Sequence, residues 1–447
     1  MLTRWLRVVP ASALAEGLAA IRDELDVPGA FPADVVAEAE AAVRAPVEGE
    51  RVDLPFVTVD PPGARDLDQA LHLARRDDGY RVSYAIADPG FFVRDGGALD
   101  REAHARGATI YMPDGKIPLY PPALSEGAAS LLPGEWRPAV LWTLNLDADG
   151  ELVAVDVARK VVRSTAQHTY QDVPDAVAPL LREIGERRLA VERERGGVRL
   201  AVPEQEVVSQ NGGWTTSYRV PNEYEDFNAQ LSLLTGMAAA ARMLEARVGI
   251  LRTQPPPSEK SFTRFRLAAA ALGVIWAPDV TYPEFVRRLD PSIPAHAAVM
   301  HEASRIGSGA GYTAFDGELP EQPAHWAVAA PYAHATAPLR RLQDRYVSDC
   351  CLGAPDRAAL PDLPKTMAAA SRRAGAVDRA VVDLVEAVLL QGREGERFEG
   401  VVIDEGVVQL RDPAVRAKVD GAPEQGSAVV VRLVRADPAA RTVEFTV

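Results

Sequence analysis

Asp60, Asp66 and Asp68 fall within nine residues, in the stretch TVDPPGARDLDQAL, directly after the apolar run Phe56-Val57-Thr58-Val59. Carboxylates at this density repel one another and cost stability unless a cation or positive side chains hold them. A hard divalent metal bound through oxygen meets that need. Asp66 and Asp68 are two residues apart, so in extended chain they point the same way. Asp60 ends a strand-like run, and Pro61-Pro62-Gly63 can turn the chain so that all three converge. A solvated acidic turn has the same composition, and this stretch alone leaves both readings open.

A second constellation is Tyr332-Ala333-His334-Ala335-Thr336-Ala337-Pro338-Leu339-Arg340-Arg341. Thr-x-Pro predicts a helix over 338–352, with Arg340 and Arg341 in its first turn, where proline is tolerated. The helix dipole does nothing for cations there. The pair makes an anion site suited to a phosphodiester, since arginine offers bidentate contacts; a surface helix with exposed arginines is the alternative. Arg345 completes a short basic cluster.

These residues sit in a chain of 447, long enough for two to four domains. Its composition, 47% hydrophobic and 25% charged, is that of a soluble globular protein, and the net charge of −14 argues against a surface coated for nucleic acid. A local basic channel is compatible with that balance, because screening confines exposed charges to about 8–10 Å. Only two cysteines occur, Cys350 and Cys351, which excludes a disulfide framework and a structural zinc site and leaves them as core thiols. Arg4 and Arg7 precede an apolar stretch that Pro10 and Glu16 interrupt, too short for a signal core. No run reaches the roughly 20 apolar residues that span a bilayer. The expectation is a cytoplasmic monomer with no membrane contact. The seven histidines lack metal-ligand spacing.

Helical periodicity over 11–25 and 33–45, around Val27-Pro28-Gly29, predicts two short helices, either a helix-turn-helix or an amphipathic pair packed on a larger unit. From 50 to 160 short strand-like runs dominate, with turns at Asp78-Gly79 and Asp149-Gly150, a helix over Leu99–Arg106 and a loop at Tyr111-Met112-Pro113-Asp114-Gly115. Helices are expected at 172–195, 222–246, 258–273, 282–290, 296–308, 338–352 and 363–390. Five short strands over 396–447 predict a small closed barrel of the OB type.

Together these residues resemble the RNB-type exoribonucleases, the ribonuclease II and ribonuclease R family. The acidic signature of that family looks like Thr-Ile-Asp-x5-Asp-x-Asp-Asp-Ala-Leu. A longer match runs from Ala85 to Glu135, with Ala108 inserted between the glycine and threonine of the Arg-Gly-Thr element. Glu223-Tyr224-Glu225-Asp226-Phe227, Pro255-Pro256-Pro257-Ser258 and YAHATAPLRR follow in the family's order. The resemblance covers about 50–390 and implies an α+β architecture. A small N-terminal helical module (1–48) precedes an RNB-type catalytic domain (49–392) with a mixed sheet surrounded by helices, and an S1-type OB-fold β-barrel that binds RNA (393–447) follows. Three departures stand out: Gln69 takes the place of the fourth acidic residue, Ala337 that of a serine, and Leu342 that of a tyrosine. About fifty residues precede the catalytic block, too few for the two cold-shock barrels of the family.

What the resemblance implies is a processive, hydrolytic 3′-to-5′ exoribonuclease that degrades single-stranded RNA to nucleoside 5′-monophosphates. Its cofactor would be Mg²⁺, with Mn²⁺ as a substitute. Asp60, Asp66 and Asp68 would bind metal, Asp68 would be most critical to the chemistry, and Gln69 and Asp88 would flank the metal site. Arg340 would stabilise charge on the scissile phosphate, with Arg341 beside it on the substrate. Tyr111 would stack on a base, and Asp378 would face the 3′-terminal nucleotide. In the barrel, Phe398, Arg411, Arg416, Lys418 and Arg432 are candidates for guiding RNA. The alternative is a catalytically silent RNA-binding protein of the same fold, for which Gln69 is the main support. A small-molecule metal hydrolase is a third reading, one that leaves the OB-type barrel without a use.

Overall fold

The computed structural model describes residues 9–200, 204–210, 213–219 and 222–447; Arg4 and Arg7 lie outside the described residues. Five strands, Arg51–Asp60, Gln69–Arg76, Gly79–Ala87, Trp136–Asp147 and Leu152–Thr169, close into a barrel. The first and last run parallel, and the other pairings are antiparallel. The expected mixed sheet is therefore present, but it curls until its edges pair. Closure leaves no strand edge open to water. Arg51–Asp60 begins exposed and finishes with five buried residues, so the strand carries the chain from the surface into the core and delivers Asp60 there. Phe56, Tyr84 and Trp142 are almost wholly buried around it.

Helices cover this barrel. Glu223–Ala246 is the best-defined start: the Asn222 side chain accepts from the Glu225 backbone N–H, and the Glu225 carboxylate returns to the Asn222 N–H, a reciprocal cap of two otherwise orphaned donors. Midway along it, Gly236 lies where an added Cβ would run into the Tyr332 ring and the Ala333 carbonyl, so only glycine lets this helix touch the segment that leads to the arginines. The long helix Leu363–Leu390 binds the remaining parts together. Val377, Val381 and Leu384 pack against Leu14, Leu18 and Ile21 of the N-terminal helix Ala11–Glu24, while Ala387 and Leu390 enter the core of the C-terminal barrel.

That second barrel closes five strands, Arg397–Asp404, Val407–Leu410, Arg416–Asp420, Ala428–Asp437 and Thr442–Thr446, as the five short strand-like runs predicted. Phe398, expected to help guide RNA, is not on its surface. It is 5% exposed and packs edge-on against Phe445, because a barrel this small fills its interior with large side chains. Two further expectations change. Residues 111–115 are not a loop: Ile110–Met112 and Gly115–Ile117 form a hairpin closed by Pro113-Asp114, with Gly115 at φ 146°. The helix expected from Pro338 begins at Leu342. The Asp344 carboxylate takes the Ala337 N–H and the Arg341 guanidinium, which holds 337–341 in a turn ahead of the helix.

Candidate active site

Past Asp60 the chain leaves the barrel and crosses a short loop to Gln69. Three contacts fix its path: Ser130 Oγ accepts from Leu67 N–H at 2.9 Å, the same hydroxyl donates to the Arg65 carbonyl, and Gln167 donates to the Ala64 carbonyl. Asp60, Asp66 and Asp68 then line one cavity of about 740 Å³, joined by Gln69, Tyr111, Lys116, Glu126, Tyr170 and Arg340. Residues far apart in sequence therefore meet in one place.

Their partners differ. Asp68, 3% exposed, accepts the Leu339 N–H on Oδ1 at 2.8 Å and the Arg340 Nε on Oδ2 at 3.1 Å. Burial nevertheless pushes its carboxyl up to about 7, against the pull of Arg340 and Leu339. Asp66 is held by the Lys116 ammonium at 2.7 Å, with the Tyr111 hydroxyl 3.4 Å from its other oxygen. Lys116 also lies 3.0 Å from Glu126 Oε1. Gln69 spends its amide N–H on the Thr336 carbonyl. Asp60 is 8% exposed; burial raises its carboxyl to about 6 against the pull of the Thr58 hydroxyl and of Arg340, and its Oδ2 is buried with no hydrogen-bond partner.

That orphaned oxygen tests whether the donors suit a metal. Among the described residues no three His, Cys, Asp or Glu side chains form a group able to hold an ion, and Lys116 and Arg340 engage two of the aspartates. A small hard cation that keeps most of its water needs only one or two carboxylates plus substrate phosphate. The donor set fits one such ion at Asp60, not a pair in an acidic cage.

The other sequence candidates are dispersed. Tyr111 is 55% exposed at the rim, and Asp378 borders an adjoining hollow that shares Tyr111, Met112 and Pro113 with the first. Arg341 turns away to Asp344, and Asp88 is buried in an ion pair with Arg159 at 2.8 Å, outside the cavity. Arg345, counted with the basic cluster, is 3% exposed and pairs with Asp100. In the barrel, Arg411 pairs with Glu399, while Lys418 and Arg432 are exposed. Sequence reasoning missed Lys116 and Glu126. The available signal was the hairpin, in which Lys116 is the direct cross-strand partner of Tyr111 and so shares its face.

Residues 50–350 match the RNB domain model, and 396–447 match the RNase II-type exonuclease C-terminal S1 domain. The chain belongs to the RNB family. It is 28% identical to ribonuclease R of Aquifex aeolicus over 84% of its own length and 58% of that protein's, so it spans little more than half of that relative. Among solved RNB-family structures, Mycoplasma genitalium RNase R in complex with ribose-methylated single-stranded RNA superposes with a TM-score of 0.86 at 18% identity, covering 98% of this chain and 78% of that one. Yeast Ssd1, a pseudonuclease, superposes at 0.71 and 15% identity, covering 96% and 57%. At those identities the likeness establishes the shared fold. No helix among the described residues is long and apolar enough to cross a membrane.

Proposed function

We infer that this RNB-family chain is a processive 3′-to-5′ exoribonuclease that hydrolyses single-stranded RNA to nucleoside 5′-monophosphates, acting as a cytoplasmic monomer. The observation that carries the reading is Arg340, half-exposed in the cavity and held by Asp68 from below. A guanidinium so fixed offers its free N–H groups to a phosphodiester without reorganising when charge develops. In the step itself, a water oxygen bonds to phosphorus, the P–O3′ bond breaks, and the 3′ oxygen leaves as the hydroxyl of the shortened strand. Arg340 neutralises the phosphoryl oxygens as this happens. Asp68 orients Arg340 by accepting its Nε–H, although burial pushes that carboxyl up to about 7. Tyr111 offers an exposed ring for stacking on a base, and the C-terminal barrel, with Lys418 and Arg432 on its surface, would lead the strand in. A divalent ion at Asp60, Mg²⁺ or Mn²⁺, would supply charge neutralisation and a more acidic bound water.

A second reading is favoured by one observation: the Gln69 amide is tied to the Thr336 carbonyl instead of offering a carboxylate. A chain so altered could bind RNA and leave it whole. Digestion of 5′-labelled single-stranded RNA with Mg²⁺, run beside Asp68→Asn, separates the two. A short end product without long intermediates, absent from the variant, supports the nuclease. Binding without shortening by either protein, in Mg²⁺ and in Mn²⁺, sinks it.

A further inference from the structure

We propose that Lys116 is a built-in counter-ion that takes up one cation position of this site, so that the chain binds a single divalent ion beside Asp60. The proposal rests on the nuclease reading for its purpose, although not for its test. Lys116 is on the second strand of the hairpin Ile110–Met112/Gly115–Ile117, directly across from Tyr111. The hairpin therefore aims a base-sized ring and an ammonium at the same aspartate: Tyr111 Oη is 3.4 Å from Asp66 Oδ2, and Lys116 Nζ is 2.7 Å from Asp66 Oδ1. A second carboxylate, Glu126, lies 3.0 Å from the same nitrogen. The lysine side chain is 22% exposed and those of Asp66 and Glu126 are 12% and 24%, so the trio is largely withdrawn from water, where such pairs are screened little.

At Asp60, in the same cavity, the charge balance is different: among the described residues the only cation that pulls on its carboxyl is Arg340, and Asp66 nearby pushes it up. Asp60 keeps a buried oxygen with no partner, and the neighbouring position that could supply a further carboxylate is Gln69, whose amide N–H is committed to Thr336. Among the described residues Asp60 therefore has no cation bonded directly to it, whereas Asp66 already holds one that is covalently attached to the chain. A fixed ammonium supplies charge without any dependence on metal concentration, but it cannot polarise a bound water as an ion does. It therefore serves as a positioning residue that sets Asp66 and, with its remaining N–H, faces an incoming phosphate.

The test counts Mn²⁺ bound per full-length chain without RNA, by the loss of the free-ion electron paramagnetic signal and by calorimetry. The wild type, Lys116→Met, Lys116→Arg and Glu126→Gln are compared, with circular dichroism melts to check folding. One ion in the wild type, Lys116→Arg and Glu126→Gln, and two in Lys116→Met, is the expected result. A wild type that binds no ion overturns the single-ion assignment, whatever Lys116→Met binds, and a wild type that already binds two overturns the counter-ion role of Lys116. Equal counts and equal affinities in the wild type and Lys116→Met overturn it, whether or not RNA digestion assayed in parallel shows the nuclease reading to stand. Should Lys116→Met melt early, Lys116→Gln replaces it, with the same outcomes.

Discussion

Nε of Arg340 lies 3.1 Å from Oδ2 of Asp68. They stand 272 residues apart in the chain, and the next N–H along, that of Leu339, bonds the other carboxylate oxygen. The aspartate is thus a clamp on the backbone as well as on the guanidinium. Arg340→Lys keeps the charge but loses the fork, and lysine reaches phosphate only as a point charge. The expected outcome is a fall in the single-turnover cleavage rate of about 10²-fold or more, with RNA affinity changed far less. An unchanged rate would remove Arg340 from the chemistry.

Tyr111→Ala should act at binding. The ring is largely in water, so the melting temperature should stay put. RNA affinity should drop by roughly 1–3 kcal/mol, the worth of one stacked base. Fluorescence anisotropy with a labelled oligonucleotide measures this, and the digestion end product should lengthen as the grip on the last nucleotides weakens.

The contact between Gly236 and the Tyr332–Ala333 segment predicts a stability effect. Gly236→Ala gains helix propensity of up to about 1 kcal/mol, but its methyl group collides with a ring and a backbone carbonyl. Overpacking of this kind costs about 1–3 kcal/mol. Urea unfolding should show net destabilisation, and a neutral or stabilised variant would mean the segment moves aside freely.

Glu386 gives a pH dependence. It is 3% exposed at the junction of the long helix and the C-terminal barrel, accepting from Gln205 and from the Arg416 N–H, and burial pushes its carboxyl up to about 7 from 4.5. A carboxyl whose folded pKa is raised favours the folded state when protonated. Its contribution is full below about 4.5 and is lost as pH rises through about 7. Of order 3 kcal/mol is at stake over that window. Glu386→Gln should shrink the difference in unfolding free energy between pH 5 and pH 8; an equal difference in both proteins would refute this assignment.

Much of this was legible in the chain. The aspartates and Arg340 declared themselves by type and spacing, and the helices by period, with Glu223–Ala246 and Leu363–Leu390 falling within a residue of their expected bounds. The misses have local causes. The hairpin at 110–117 has strands of three residues, too short to show alternation, so nothing drew notice to Lys116. Pro338 is a good first-turn residue, yet the hydrogen bond of Asp344 to Ala337, seven residues back, overrode it. Phe398 and Arg345 look like surface contacts for RNA by type alone, and only the closure of the barrel and the position of Asp100 reveal them as interior.

The long helix Leu363–Leu390 also sets a timetable. The N-terminal helix Ala11–Glu24 shares its apolar cluster with Val377, Val381, Leu384, Val385 and Leu389 of that helix, besides Ile110 and Met112 of the hairpin. At synthesis rates of about 5–20 residues per second, Leu14 leaves the ribosome on the order of 20–70 s before Val381 exists. Nascent chains arrested before residue 363 should therefore lose their first helix to brief protease treatment, whereas chains arrested past the long helix should keep it. A helix made well before its main partner is thus among the last to be secured, and until then a chaperone has the best claim on its apolar face.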